Sequence, residues 1–295
     1  MAARSERAGL ITRFAPSPTG PLHLGHAYSA CLAFDLARKQ GGTFLIRIED
    51  IDRQRARPEW EAQIYEDLNW LGLTWPEPVM RQSDRQPAYE AALDRLWDMG
   101  LLYPCSCSRR DIQEAASAPQ EGVPRLGPDG LVYPGTCRPG ELPTGVRPRE
   151  TALRLDMRRA MQRIGPERLS FVECGGSPGD ETGEIGISPE ALVSEIGDVV
   201  LARRDMGTSY HLSVVLDDAA QGVTDVVRGR DLFEATRIHV VLQRLLGLAS
   251  PRYLHHRLIR DDTGKRLAKR DDARAIRTYR DSGLSPQDIR AKLGL

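Results

Sequence analysis

The chain has 295 residues, 40% of them hydrophobic and 28% charged, and its 41 basic residues balance its 41 acidic ones. That is an ordinary globular composition with room for a full core, and zero net charge excludes a protein held to nucleic acid mainly by bulk charge. There is no run of about 18 apolar residues for a membrane span and no apolar stretch of a signal peptide within Met1 to Gly9. Five cysteines, two of them in Cys105-Ser106-Cys107, make a poor disulfide framework, so a reduced, cytoplasmic protein is expected.

Ile11 to Ala15 reads as a buried strand feeding the Pro/Gly-rich run Pro16-Ser17-Pro18-Thr19-Gly20-Pro21. From Gly25 to Lys39, Tyr28, Leu32 and Leu36 recur every fourth residue, which predicts a helix packed on a core, ended by Gly41-Gly42. Thr43 to Ile48 is a second strand, with Glu49-Asp50-Ile51-Asp52 at its C-terminal end. Strand, helix, strand is a βαβ unit, so the fold class is α/β with a Rossmann-type parallel sheet. A ligand then belongs beyond the carboxyl ends of the strands, where the loop from Pro16 and the acidic run from Glu49 both fall.

Helices are expected from Pro58 to about Leu71 and from Ala88 to Met99. Between Leu101 and Pro189 proline and glycine cluster, and Ala115 to Gly145 shows little periodicity, which predicts an inserted, loop-rich unit. Patterning returns at Asp198 to Ala202 and again from Tyr210, followed by a strand at Val223 to Arg228, a helix at Leu232 to Leu246 and a strand at Tyr253 to Ile259. The tail from Arg274 carries one or two short helices, with Ser285-Pro286 as N-cap and first helical residue. The expected divisions are therefore 1–100 and 190–259 for the two halves of the core, 101–189 for the insertion, and 260–295 for a basic loop and terminal helices.

His23-Leu24-Gly25-His26 stands where the first loop becomes a helix. A helix N-terminus is an anion site, because its unpaired N–H groups and dipole face the ligand. Gly25 would allow close approach of a phosphate, and the two imidazoles could donate to phosphate oxygens. Taken alone, the short pattern more often marks two surface or helix-capping histidines.

The longer run from Arg13 to His26, Arg13-Phe14-Ala15-Pro16-Ser17-Pro18-Thr19-Gly20-Pro21-Leu22-His23-Leu24-Gly25-His26, closely resembles the first signature of the class I aminoacyl-tRNA synthetases in its glutamate form. The resemblance continues at Arg47 to Asp52, Ser209 to Leu212, Val214 to Asp218 and Val227 to Leu232. Gly264 to Arg270 looks like the mobile second signature, with Ala268 where that loop usually carries Ser and Lys269 retained. Only about 25 residues follow it, a short ending similar to that of the glutamyl-Q tRNA(Asp) synthetases, which lack an anticodon-reading domain. The resemblance implies a class I synthetase core with a zinc-bearing insertion and a short helical end. It also implies activation of L-glutamate by ATP with Mg²⁺, without tRNA, and transfer to queuosine of tRNA(Asp) by a monomer. Two other readings stay open: a paralogue that charges a tRNA 3′ end, and a homologue that binds without chemistry.

The same resemblance implies roles for individual residues. His23 and His26, with Gly25, would meet the ATP phosphates, and Lys269 would neutralise the leaving pyrophosphate. Glutamate, with two carboxylates and an ammonium, needs cations and an anion: Arg13 and Arg228 are candidates for a bidentate carboxylate clamp, and Glu49 for the ammonium. Tyr210, Ser17 and the Phe14, Ala15 and Pro16 backbone complete the wall, and His211 beside Tyr210 stands where many relatives carry Gln. Cys105, Cys107, Tyr133 and Cys137 resemble a structural zinc set of three thiolates and a phenolate, with an unusually long gap after Cys107. Cys31 reads as core, and Cys174 is left unassigned, an alternative ligand rather than part of the expected set.

Overall fold

The structure is a computed structural model that describes residues 9–116, 126–141, 143–175, 181–259 and 274–295. Strand β1 (Ile11–Phe14) pairs in parallel with β2 (Thr43–Ile48) through helix α1 (Leu24–Lys39), and β2 pairs in parallel with the short β3 (Met80–Arg81) that follows α2 (Pro58–Trp70). This is the predicted βαβ unit. Its strands are buried along most of their length, polar Thr12, Arg13 and Arg47 included.

Helix α3 (Gln86–Asp98) leads into β4 (Leu102–Cys105), α4 (Arg109–Ala116) and a small hairpin of β5 (Leu126–Gly127) and β6 (Gly130–Leu131). Then come β7 (Ala152–Leu155), α5 (Met157–Ile164), β8 (Leu169–Glu173), β9 (Gly183–Ile187), the single turn α6 (Pro189–Ala191) and β10 (Val200–Ala202). The second half of the core is α7 (Tyr210–Ala220), β11 (Asp225–Gly229), α8 (Ala235–Leu246) and β12 (Arg252–His256). Helices α9 (Ile276–Asp281) and α10 (Pro286–Leu293) close the chain, the latter with the predicted Ser285 cap and Pro286 at its first position.

Strand β11 runs in parallel with β12, and β12 with β8, while β9 adds antiparallel to β8. The two sheets abut through β1 and β11: Thr224 N–H donates to the Ile11 carbonyl at 3.0 Å, and the Arg13 guanidinium reaches the Val227 carbonyl. The span expected as a loop-rich insertion is more regular than its composition suggests. Strand β7 joins β4 and β10 in an antiparallel sheet, β8 lies within the core sheet, and Leu153, Leu155, Met157 and Phe171 belong to the main hydrophobic core. Strands of four or five residues between Pro/Gly-rich stretches are too short to show a period in sequence.

The tail belongs to the first half. Ile289 and Leu293 of α10 are buried against the α1–β1–β2 core, and Arg290 grips Asp35 of α1 at 2.7 and 3.1 Å. Among the described residues no helix is long and apolar enough to cross a membrane.

Asp67 of α2 has no exposed surface, and neither carboxylate oxygen has a hydrogen-bond partner among the described residues. Burial pushes its carboxyl up to about 6, with the Arg280 charge opposing. The folded state therefore binds more protons than the unfolded one between the ordinary value of 3.8 and about 6. Stability from this group is present below that window and is lost as pH rises through it. Asp67→Asn is expected to melt above the parent at pH 8, with the difference vanishing toward pH 4. Thermal melts across that range check it, and a constant difference would show that Asp67 does not titrate there.

Candidate active site

A cleft of about 450 Å³ opens at the carboxyl ends of β1 and β2. Phe14, Ala15, Pro16, Ser17, His26, Glu49 and Tyr210, all singled out in the sequence, line it. Asp52, Arg55, Gln82 and Arg203 also line it. No role for these four was legible beforehand; Asp52 lies in the acidic run already noted, whereas Arg55, Gln82 and Arg203 sit in segments without a local pattern.

The two histidines at the start of α1 both cap the helix. His23 Nδ1 accepts the Gly25 N–H and His26 Nδ1 accepts the His23 N–H, each at 3.1 Å. The rings stack with centroids 3.8 Å apart. Because each Nδ1 is an acceptor, the proton of each neutral ring sits on Nε2. Capping thus fixes the tautomer of both rings. Gly25 is required for a reason other than ligand approach: a Cβ there would lie 2.9 Å from His23 Cε1, inside contact distance of the stacked ring. Ala275 forms a β-bridge with His23, and Ile276 N–H donates to the Leu22 carbonyl, so the start of the tail is fastened to this loop. Lys269 and the rest of Arg266 to Arg270 lie outside the described residues.

Beneath the cleft is a buried ion cluster. Arg47 has no exposed surface; its Nη1 meets Asp218 at 2.6 Å and its Nη2 meets Glu49 at 3.1 Å. Arg13 Nε and Nη2 meet the two Asp218 oxygens at 2.9 and 3.3 Å. Burial alone would raise the Asp218 carboxyl, but Arg13 and Arg47 hold it below the usual carboxylate range. Burial raises Glu49, only partly opposed by Arg47, so an ammonium in the cleft would favour its ionised form. The neighbouring Asp217 faces the other way and accepts from Tyr89 at 2.7 Å, Gln82 at 2.9 Å and Arg85 at 3.2 Å. Two consecutive carboxylates in an apolar helix are the signal that could have revealed both clusters, since buried acids need partners.

The guanidinium groups are more committed than the sequence suggested. The Nε–Nη2 edge of Arg13 is taken by Asp218. Arg228 donates to His255 Nε2 (3.1 Å), His239 Nδ1 (3.1 Å), Thr236 Oγ1 (2.6 Å) and the Leu232 carbonyl (3.2 Å). Among the described residues these bonds use four of its five N–H groups and leave one on Nη1, so Arg228 does not offer the bidentate fork expected of it. Arg13, Arg228, His23 and Gly25 are not among the residues that line the cleft. The Arg228 charge nevertheless bears on Tyr210, whose hydroxyl burial pushes up and Arg228 draws down.

The cysteines of the insertion converge. Cys105, Cys107 and Cys137 place their sulfurs within 4.8 Å of one another, and Tyr133 Oη lies 3.5 Å from Cys105 Sγ and 3.4 Å from Cys107 Sγ. The Arg154 guanidinium covers the Tyr133 ring at 3.7 Å and donates to Cys105 Sγ at 3.2 Å, which favours anionic donors. Cys31 is buried in the core, as expected, and Cys174 is exposed and outside the cluster.

Known proteins agree with this layout. The family of tRNA synthetases class I (E and Q), catalytic domain, matches residues 9–125 and 181–295. A glutamyl-Q tRNA(Asp) synthetase of Rhodobacter capsulatus is 65% identical over 97% of this chain and 100% of its own length. One of Geobacter sulfurreducens is 42% identical over 92% of this chain and 79% of its own. Among solved structures, a glutamate tRNA ligase of Elizabethkingia meningosepticum in complex with its amino acid superposes with a TM-score of 0.67 at 26% identity. That match covers 89% of this chain, which spans about half (52%) of the solved one.

Arg47→Ala would leave Asp218 and Glu49 buried with half their counter-charge gone, a change that costs about 3–5 kcal/mol. Urea unfolding is expected to show the midpoint falling accordingly with the slope preserved; an unmoved midpoint would show that the cluster carries no stability.

Proposed function

The chain belongs to the class I tRNA synthetases for Glu and Gln and, within them, to the glutamyl-Q tRNA(Asp) synthetase family, and from that membership we propose that it joins L-glutamate to AMP and passes it to queuosine in tRNA(Asp). The observation that carries the reading is that His26, Glu49 and Tyr210 line one cleft. A phosphate-facing donor and an ammonium-binding carboxylate are thereby within reach of one small substrate pair.

In this reading the glutamate α-carboxylate attacks the α-phosphorus of ATP. A carboxylate–phosphate anhydride forms, the bond to the β-phosphate oxygen breaks and pyrophosphate leaves. No enzyme nucleophile is consumed, so positioning and charge stabilisation supply the catalysis. Glu49 holds the ammonium, Tyr210 donates its hydroxyl, and the remaining Nη1 N–H of Arg228 meets a carboxylate oxygen. Arg13 acts by fixing Asp218 and the β1 terminus. His23 and His26 present Nε2–H to the phosphates, and Lys269 neutralises the pyrophosphate. A hydroxyl of queuosine then attacks the activated carbonyl, forming an ester and releasing AMP.

Mg²⁺ enters with ATP. Among the described residues the only group of three or more His, Cys, Asp and Glu close enough to ligate a metal is the cysteine cluster. Three soft sulfurs with a phenol oxygen fit a closed tetrahedral zinc site. Cys105, Cys107, Tyr133 and Cys137 would hold the ion, whose contribution is to fasten the segment between β4 and β7.

Glutamate-dependent exchange of pyrophosphate into ATP is expected without any tRNA. Glutamylation of tRNA(Asp) is expected only when queuosine is present. Equal glutamylation of both tRNAs would remove the queuosine assignment, and absent exchange by folded protein would remove the enzymatic one. Elemental analysis of freshly purified protein is expected to give about one zinc per chain, lost in Cys137→Ser; zinc-free protein with native stability would exclude the site.

A further inference from the structure

His211 occupies the second position of α7, next to Tyr210, and is 4% exposed. Its Nε2 lies 2.8 Å from Asp129 Oδ1, and its Nδ1 lies 3.1 Å from Nε2 of His239, which is 2% exposed. The other nitrogen of His239 is the one that accepts from Arg228. A continuous polar chain therefore runs from Asp129, in the turn between β5 and β6, through α7 and α8 to the guanidinium on β11.

Donor and acceptor roles along this chain are fixed from both ends. The Asp129 carboxylate only accepts, so His211 carries its proton on Nε2 and accepts at Nδ1. His239 must then donate from Nε2, which leaves Nδ1 to accept from Arg228, a group that can only donate. Any other arrangement sets two donors or two acceptors face to face. On the far side of the guanidinium the same logic repeats. Glu173 accepts from His255 Nδ1 at 2.5 Å and from the His255 and Gly175 backbone N–H groups, and His255 Nε2 accepts from Arg228 Nε. Burial, together with the Arg228 charge, lowers His239 well below its ordinary value, and burial lowers His255 despite Glu173, so both rings stay neutral.

We propose that Asp129 is a positioning residue, which through neutral His211 and His239 sets the orientation of Arg228 and thereby the affinity for the amino acid. The inference rests on the reading that Arg228 faces glutamate. Glu173 is anchored by two backbone N–H groups within the core sheet, a fixed support. Asp129 instead sits on a turn of the small hairpin, with its side chain half exposed and lining a second cavity of about 340 Å³. The hairpin, which falls between Cys107 and Tyr133 in the chain, is thus tied to the amino-acid end of the cleft by one hydrogen-bonded line. His211 is essential to it, because its two ring nitrogens play opposite roles at a spacing that an aliphatic side chain cannot reproduce.

The test pairs imidazole ¹⁵N–¹H correlation spectra with pyrophosphate-exchange kinetics on Asp129→Ala, Asp129→Asn and Arg228→Lys. In the parent, His211 and His239 are expected as Nε2–H tautomers and His255 as Nδ1–H. Asp129→Ala is expected to mix the tautomers of His211 and His239 and to raise the KM for glutamate about fivefold, the worth of one hydrogen bond, with the KM for ATP unchanged. Asp129→Asn, whose Oδ1 still accepts, is expected to restore most of both. Unchanged tautomers in Asp129→Ala would overturn the relay. Changed tautomers with an unmoved glutamate KM, while Arg228→Lys raises it, would overturn the positioning role. If neither variant moved the glutamate KM, the placement of Arg228 at the amino acid would be what fails.

Discussion

Arg47 has no exposed surface, and a guanidinium stays in such a place only because Asp218 and Glu49 stand against it. Through Asp218 the same charge cluster takes in Arg13, so β1, β2 and α7 are held at one junction. This junction lies directly beneath the cleft. Glu49 reaches the cleft from the end of β2 with one oxygen on Arg47, and Tyr210 begins the helix that carries Asp218. A buried ion cluster is a costly way to gain stability, since desolvation offsets most of the attraction. Its use here is better understood as orientation: the carboxylate proposed to meet an ammonium is held by a partner that cannot move away.

The histidines of α1 show how a helix terminus can be both a structural and a chemical device. Each ring spends Nδ1 on a backbone N–H, which leaves the proton of the neutral ring on Nε2. The stacked pair then dictates Gly25, because any side chain at that position would strike the His23 ring. The local motif is therefore self-consistent without reference to a ligand. The bridge between His23 and Ala275 brings the tail of the chain to the same place.

The segment between β4 and β7 joins the core at more points than its composition suggests. The cysteine cluster pins one end, with Arg154 of β7 laid over Tyr133. Asp198, before β10, accepts from Arg138 and from the Met157 N–H. The hairpin contributes Asp129 to His211. These are polar anchors, which suits a stretch with few large hydrophobic residues; each fixes direction as well as distance, so the position of the hairpin is transmitted to the side chains it touches.

Motif and periodicity were enough to reveal the βαβ start, the first helix to within one residue of its Leu24–Lys39 span, the strand at Thr43–Ile48, the strand at Asp225–Gly229 to within two residues, the Ser285 cap and the family. These are local properties: a period, a cap or a contiguous signature is written in neighbouring residues. The candidate cleft wall of Phe14 to Ser17, Glu49 and Tyr210 was legible for the same reason. What only the tertiary structure decided is what each charge is opposite. Nothing in the sequence around Arg13 or Arg228 says that Asp218 takes the Nε–Nη2 edge of the first, or that two histidines, Thr236 and the Leu232 carbonyl take four of the five N–H groups of the second. The insertion's short strands find partners only across the sheet, and Asp129 and His211 meet across 82 positions of chain. A buried polar group is defined by its partner, and partners distant in sequence come together only when the chain has packed.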